Sequence, residues 1–153
     1  MSDSDLIHLY SKRILALAAD IPHLRRLEHP TATVRKRSPL CGSTVTVDVA
    51  VTDGRIVEFG QDVKACALGQ ASSSIMARHV VGASAAELRG IREQMYRMLK
   101  EGGPAPDGKW ADLAVLEPVR DYKARHASTM LTFDAVVDAI GQIEARAKQP
   151  ASA

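Results

Sequence analysis

The sequence is poor in cysteine and aromatic residues, close to electrically neutral, and without long apolar runs. Its two cysteines, Cys41 and Cys66, allow at most one disulfide. That is too few to staple a small secreted fold, and a reducing compartment would keep both as free thiols. Aromatic residues make up 4%, and 20 basic side chains stand against 18 acidic ones for a net charge of +2. With few rings to stack on bases and no basic excess to neutralise phosphates, the chain is a poor nucleic-acid reader. No stretch approaches the roughly 18 apolar residues of a membrane span. The opening Met1-Ser2-Asp3-Ser4-Asp5 carries acid where a secretory signal carries base. These absences predict a cytoplasmic protein with neither a nucleic acid nor a membrane as partner. What is present, 46% hydrophobic and 25% charged residues in 153, is enough for one core. The expectation is a single domain over residues 1–147 and a small polar tail, 148–153, that is disordered.

Periodicity divides the chain into elements. Leu6, Leu9 or Tyr10, Ile14 and Leu17 recur at steps of three and four, which predicts an amphipathic helix over 5–19. The segment from Ile21 to Pro39, holding Pro22, Pro30 and the basic cluster Arg35-Lys36-Arg37, has no period and reads as a loop or arm. The cluster itself is either a solvated loop or a docking patch for an acidic partner. Strict alternation of Val45, Val47, Val49 and Val51 with Thr44, Thr46, Asp48 and Ala50 predicts a half-buried strand. Asp53-Gly54 suits a tight hairpin into a second strand at Ile56, Val57 and Phe59, with Gly60 to Lys64 as a third short strand. A helix follows Cys66, with Leu68, Ala71, Ile75 and His79 on one face. Ser84 and Glu87 form a capping box for the next helix, which runs to about Lys100. Glycines and prolines from Gly102 to Gly108 mark a loop, Asp112 to Leu116 a short helical turn, and Ser128 to Ala147 a long final helix. Strands in one run and helices in another predict an α+β fold: a small three-stranded antiparallel sheet with helices packed on one face.

Candidate chemistry gathers at element ends. Cys41 precedes a strand in Pro39-Leu40-Cys41-Gly42-Ser43. Cys66 precedes a helix, where unpaired backbone N–H groups favour the thiolate, the form that binds metals and attacks sulfur. Either cysteine is equally well a small buried filler, and no paired Cys-x-x-Cys strengthens a zinc reading. His126, where the last helix begins, is of a type that ligates metals, but a single surface histidine is more often simply solvated. Ser72, Ser73 and Ser74 near His79 lack a nucleophile elbow and read as packing residues.

Taken together, Pro39-Leu40-Cys41-Gly42, the hairpin and Ala65-Cys66-Ala67-Leu68-Gly69-Gln70-Ala71-Ser72-Ser73-Ser74 resemble the iron–sulfur cluster assembly scaffolds of the IscU, SufU and NifU N-terminal type. The likeness runs from about Leu6 to Ile140, and the stretch from Asp112 to Leu131, with Tyr122-Lys123-Ala124-Arg125, looks closest to the SufU branch. The resemblance implies that three cysteines and an aspartate converge on zinc or a nascent cluster at one end of the molecule. It also implies a cysteine desulfurase and cluster acceptor proteins as partners. Cys41 and Cys66 match the first two cysteines. Ser43 stands at the aspartate position and Ser128 at that of the third cysteine, and the histidine expected beside it falls one residue early, at His126. Hydroxyls are poor ligands for a soft metal beside thiolates, so the ligand set is degenerate.

Two readings follow. In the first the chain is a non-enzymatic scaffold or sulfur acceptor that binds iron, a cluster or zinc through Cys41 and Cys66, with His126, Ser128 and Ser43 as weaker candidates. Alternatively, two copies each give two thiolates to one shared cluster. In the second reading the chain is a metal-free interaction or regulatory module that keeps only the fold. A zinc-dependent sulfurtransferase ranks below both, because it needs a thiolate at position 128.

Overall fold

The computed structural model describes residues 10–148. Ser11 accepts a hydrogen bond from the Ile14 amide and so starts helix α1, Lys12–Ala19, which buries Ile14 and Leu17. Of the helix expected over 5–19, Lys12–Ala19 is present behind its N-cap Ser11, and the part at 5–9 lies outside the described residues. Three strands follow, β1 (Ala32–Arg37), β2 (Thr44–Thr52) and β3 (Arg55–Lys64), then helices α2 (Ala67–His79) and α3 (Ala85–Glu101). A run of 3₁₀ turns over Gly108–Asp121 and a further turn at Lys123–Arg125 lead into α4, His126–Ala147. The helical turn expected at Asp112 to Leu116 is thus the middle of a longer 3₁₀ run. Half of the expected capping box is present, with Ser84 accepting from the Glu87 amide while the Glu87 carboxylate accepts from Lys109 and Trp110, and Gly102 closes α3 in the left-handed conformation. Of the expected tail, Lys148 closes α4 and 149–153 lie outside the described residues.

The sheet is antiparallel in the order β1-β2-β3, and its membership corrects one expectation. Gly60 to Lys64 continues β3 without interruption, and the third strand is β1, inside the segment expected to be a loop or extended arm. Its register pairs Ala32 with Val49 and Val34 with Val47, so two small apolar side chains reach the core while Thr33 and Arg35 face away. Only two core-facing apolar positions in six residues are too few to register as alternation. Charges on β1 suit an edge strand, where they discourage pairing with another chain.

Val45, Val47 and Val49 on β2 and Phe59 on β3 share one core with Leu68, Ile75, Met95, Leu113 and Phe133, all contributed by the helices and 3₁₀ turns on one face of the sheet. Burying a side chain of this size is worth roughly 1.5–3 kcal/mol. The opposite face is covered by the irregular segment after α1, and the buried carboxylate of Asp48 anchors it. Arg26 Nε donates to Asp48 at 2.6 Å, the Leu27 amide at 3.0 Å, and Thr33 Oγ1 donates as well. The Gln61 amide donates to the carbonyls of His23 and Arg25, so the same segment also closes the β3 edge. Gly60 is required beneath it, since a Cβ there would lie 2.3 Å from the Arg25 carbonyl oxygen. Among the described residues no helix is long and apolar enough to cross a membrane.

Candidate functional site

The β1–β2 connection is a tight turn in which the Ser38 amide donates to the Ser43 carbonyl and the Gly42 amide to the Ser38 carbonyl. Gly42 makes this possible with φ +73°, a conformation that strains any residue with a Cβ. The turn presents Cys41 to solvent beside Leu40, which is 74% exposed. The Cys41 thiol donates to Ser43 Oγ at 3.1 Å. Its pKa is pulled from 9.0 to about 7, first by the Ser38 hydroxyl and then by the Ser43 hydroxyl and amide. Burial opposes this weakly, and the Arg125 guanidinium adds a smaller pull in the same direction. Ser38 Oγ is buried without a closed hydrogen bond of its own, so its proton is free to turn toward a thiolate.

At the same end of the sheet Cys66, half-buried, is the N-cap residue of α2 and makes no side-chain capping bond. Its sulfur lies 3.5 Å from Ser128 Oγ in the first turn of α4. Gly69 permits the two helix starts to meet, since a Cβ there would lie 3.2 Å from the Ser128 carbonyl oxygen. Ser128 Oγ in turn donates to the Arg125 carbonyl. The structure thus pairs Cys41 with Ser43 and Cys66 with Ser128, with Arg125 next to both pairs. Sequence reasoning missed Ser38 and Arg125. The signal for Ser38 was its place in a short turn with Gly42 and Ser43, but two serines flanking a cysteine do not reveal which hydroxyl is buried toward it.

His126 does not join this group as a free imidazole. It is 2% exposed and its Nε2–H donates to the carbonyls of Val119 at 2.9 Å and Arg120 at 3.1 Å. Burial lowers its pKa, and the Lys100 charge adds to that, so it is a neutral ring tying α4 to the 3₁₀ run. The expectation of a solvated surface histidine is corrected accordingly. Among the described residues no three His, Cys, Asp or Glu side chains form a group that could hold a metal ion. Zinc needs four donors, mostly thiolate or imidazole. The two thiols and two hydroxyls gathered here do not fit it. Ser72, Ser73 and Ser74 are fully buried, with Ser72 donating to Gly69 and Ser74 to Asp20 carbonyls, in keeping with a packing role.

Comparison with known proteins follows this geometry. The family model for the NifU-like N terminal domain matches residues 9–129. The chain is 24% identical over 135 residues to the iron–sulfur cluster assembly scaffold protein IscU of Thermotoga maritima, covering 88% of this chain and 94% of that one. It is 25% identical to the scaffold protein of the same name from Streptococcus pyogenes serotype M1, over 92% of this chain and 87% of the other. The crystal structure of a nitrogen-fixing NifU-like protein (N-terminal) from Brucella abortus superposes with a TM-score of 0.91 at 58% identity, over 93% of this chain and 99% of that one. The chain belongs to the NifU-like N-terminal domain family, whose matched relatives include scaffolds for iron–sulfur cluster assembly.

Proposed function

We infer that this chain acts in iron–sulfur cluster assembly as a sulfur acceptor, with Cys41 as the accepting atom and Cys66 as the second thiol of the site. The observation that carries the reading is the exposed Cys41 thiol, lowered to about 7 by two hydroxyls and an amide. Such a thiol is substantially ionised at neutral pH, and thiolate is the form that attacks sulfur. In the step proposed, the Cys41 thiolate attacks the outer sulfur of a donor persulfide. A new S–S bond forms on Cys41, the donor's S–S bond breaks, and the donor leaves as a thiolate. Ser38 and Ser43 hold the attacking anion before the bond forms, and neither has to move a proton during it.

A cysteine desulfurase is the partner whose chemistry supplies that persulfide, and cluster acceptor proteins are the downstream partners. Both keep the working site in a reducing compartment such as the cytoplasm. A nascent cluster would be cargo here. With two thiolates per chain, a pair of chains supplies the four sulfur ligands a cluster usually takes. The metal-free module remains the second reading, favoured by Ser43 and Ser128, whose hydroxyls stand where anionic donors would strengthen metal binding.

The test is transfer itself. Incubated without oxygen with a cysteine desulfurase and L-cysteine, the full chain carrying Cys66→Ser, so that one thiol is read, should gain one sulfur atom that peptide mapping places on Cys41. The Cys41→Ser variant should gain none there. A chain that binds the desulfurase but takes up no sulfur supports the module instead.

A further inference from the structure

We propose that Cys66 resolves a persulfide formed on Cys41, expelling sulfide and leaving a Cys41–Cys66 disulfide. This rests on the acceptor reading and adds a second step to it. The register of the sheet brings the two residues together. Thr44 pairs with Lys64 as the last rung of the β2–β3 ladder, so Cys41, three residues before that rung, and Cys66, two residues after it, lie at the same end of the sheet. Cys41 folds back onto Ser43 at 3.1 Å. Ser43 is itself buried, and α4 brings Ser128 to 3.5 Å from Cys66. Arg125 ties the two sulfurs to one neighbourhood, since its charge acts on Cys41 and its carbonyl accepts from Ser128 Oγ, the neighbour of Cys66 Sγ; a disulfide would bring the two Cα atoms to about 4.4–6.8 Å.

Neither sulfur is held in a covalent bond. Both cysteines are free, and Cys66 leaves the first turn of α2 uncapped by its side chain. They are the only two cysteines in the chain. Hydroxyls at 43 and 128 can solvate a leaving anion, but they cannot reduce a persulfide. Cys66 is thus the one group at this end of the molecule able to supply the electron pair.

A persulfide is already at the oxidation level of a disulfide, so the step needs no outside oxidant. The Cys66 thiolate, its proton given to solvent, attacks Cys41 Sγ. The Cys66–Cys41 S–S bond forms and the bond from Cys41 Sγ to the outer sulfur breaks. That sulfur leaves with the bonding pair as hydrosulfide. Counted from two thiols and one sulfane sulfur, the two cysteine sulfurs together give up two electrons, and the outer sulfur takes both and leaves as sulfide. An external dithiol then returns the disulfide to two thiols, which restores the acceptor.

The experiment loads the full chain from a cysteine desulfurase with limiting L-cysteine, without oxygen or added reductant. Sulfide is measured alongside the intact mass. The wild type should release about one sulfide per chain and lose two hydrogens. Cys66→Ser and Cys66→Ala should instead keep the extra sulfur on Cys41. A wild-type persulfide as long-lived as that of the Cys66 variants, or a disulfide that appears only on admitting air, would overturn the proposal. No sulfur on Cys41 in any of these proteins would refute the acceptor reading beneath it.

Discussion

Replacing Ser38 and Ser43 together by alanine, in a Cys66→Ser background so that one thiol is read, should turn Cys41 into an ordinary surface cysteine. The two hydroxyls are the leading causes of the fall from 9.0 to about 7. At pH 7 a thiol of pKa about 7 is about half ionised and one of pKa 9.0 about one per cent, roughly a fifty-fold difference in thiolate. The more acidic thiolate is also the weaker nucleophile. With a Brønsted coefficient of about 0.45, two pH units cost it roughly eight-fold. The ionisation gain wins, leaving the native site about six-fold faster at pH 7. Near pH 8 the order should reverse, because the ionisation ratio there falls to about the eight-fold difference in nucleophilicity, and above pH 9 intrinsic nucleophilicity dominates. The assay is the rate of exchange with a chromogenic aromatic disulfide from pH 5 to pH 10. A native midpoint near 9, or a double variant whose midpoint stays near 7, would refute the argument that hydroxyl donors make this thiol reactive.

Other parts of the account predict measurable effects. Arg26→Ala leaves a fully buried carboxylate with only Thr33 and Leu27 as donors, and should cost about 3 kcal/mol in urea unfolding. That is the low end for stranding a buried ion, because Arg26 is itself half exposed. Asp48 is held below its usual 3.8 by Arg26, Thr33 and the Leu27 amide, against an opposing desolvation. Its stabilisation is therefore complete above that pH and lost as pH falls through the lower, folded value; in Asp48→Asn this acid-limb loss should be absent. His126 is the opposite kind of group with the same direction of loss. Burial lowers its pKa from 6.5, so the fold is favoured while the ring is neutral. Thermal stability should decline as pH drops from about 6.5 toward the folded value, and this decline should vanish in His126→Gln. Gly60→Ala should destabilise by roughly 1–3 kcal/mol, since the new Cβ would meet the Arg25 carbonyl oxygen; a neutral result would mean that the segment after α1 does not lie against the sheet. If a cluster is carried, reconstitution without oxygen should yield one cluster per two chains by size and elemental analysis, and Cys66→Ser should yield none.

Much of the architecture could be read from spacing alone. The alternating valines of β2, the Asp53-Gly54 turn and the Ser84 cap each concern a few neighbouring residues, and each appears in the structure. What escaped depends on distant partners. Strand β1 carries Arg35, Lys36 and Arg37, whose charges hide the two apolar contacts made by Ala32 and Val34; only pairing with β2 makes the strand. Asp48 looked like a solvent-facing position in a half-buried strand, yet it is fully buried because a segment some twenty residues upstream folds over it. At the site, sequence located both cysteines and the serines beside them, since those lie at element ends. It could not tell that His126 points into the 3₁₀ run. Nor could it show that Ser38 is turned inward while Cys41 is left in solvent, because a turn's hydrogen bonds are not written in residue type.

The central claim, that this site takes up sulfur through an activated thiol and needs no bound metal to do so, is tested most directly by repeating the desulfurase transfer in the presence of a strong chelator. In the Cys66→Ser variant, which retains the transferred sulfur, the account predicts one sulfur on Cys41 at an unchanged rate. Transfer that stops when metal is stripped and returns when zinc is restored would contradict it.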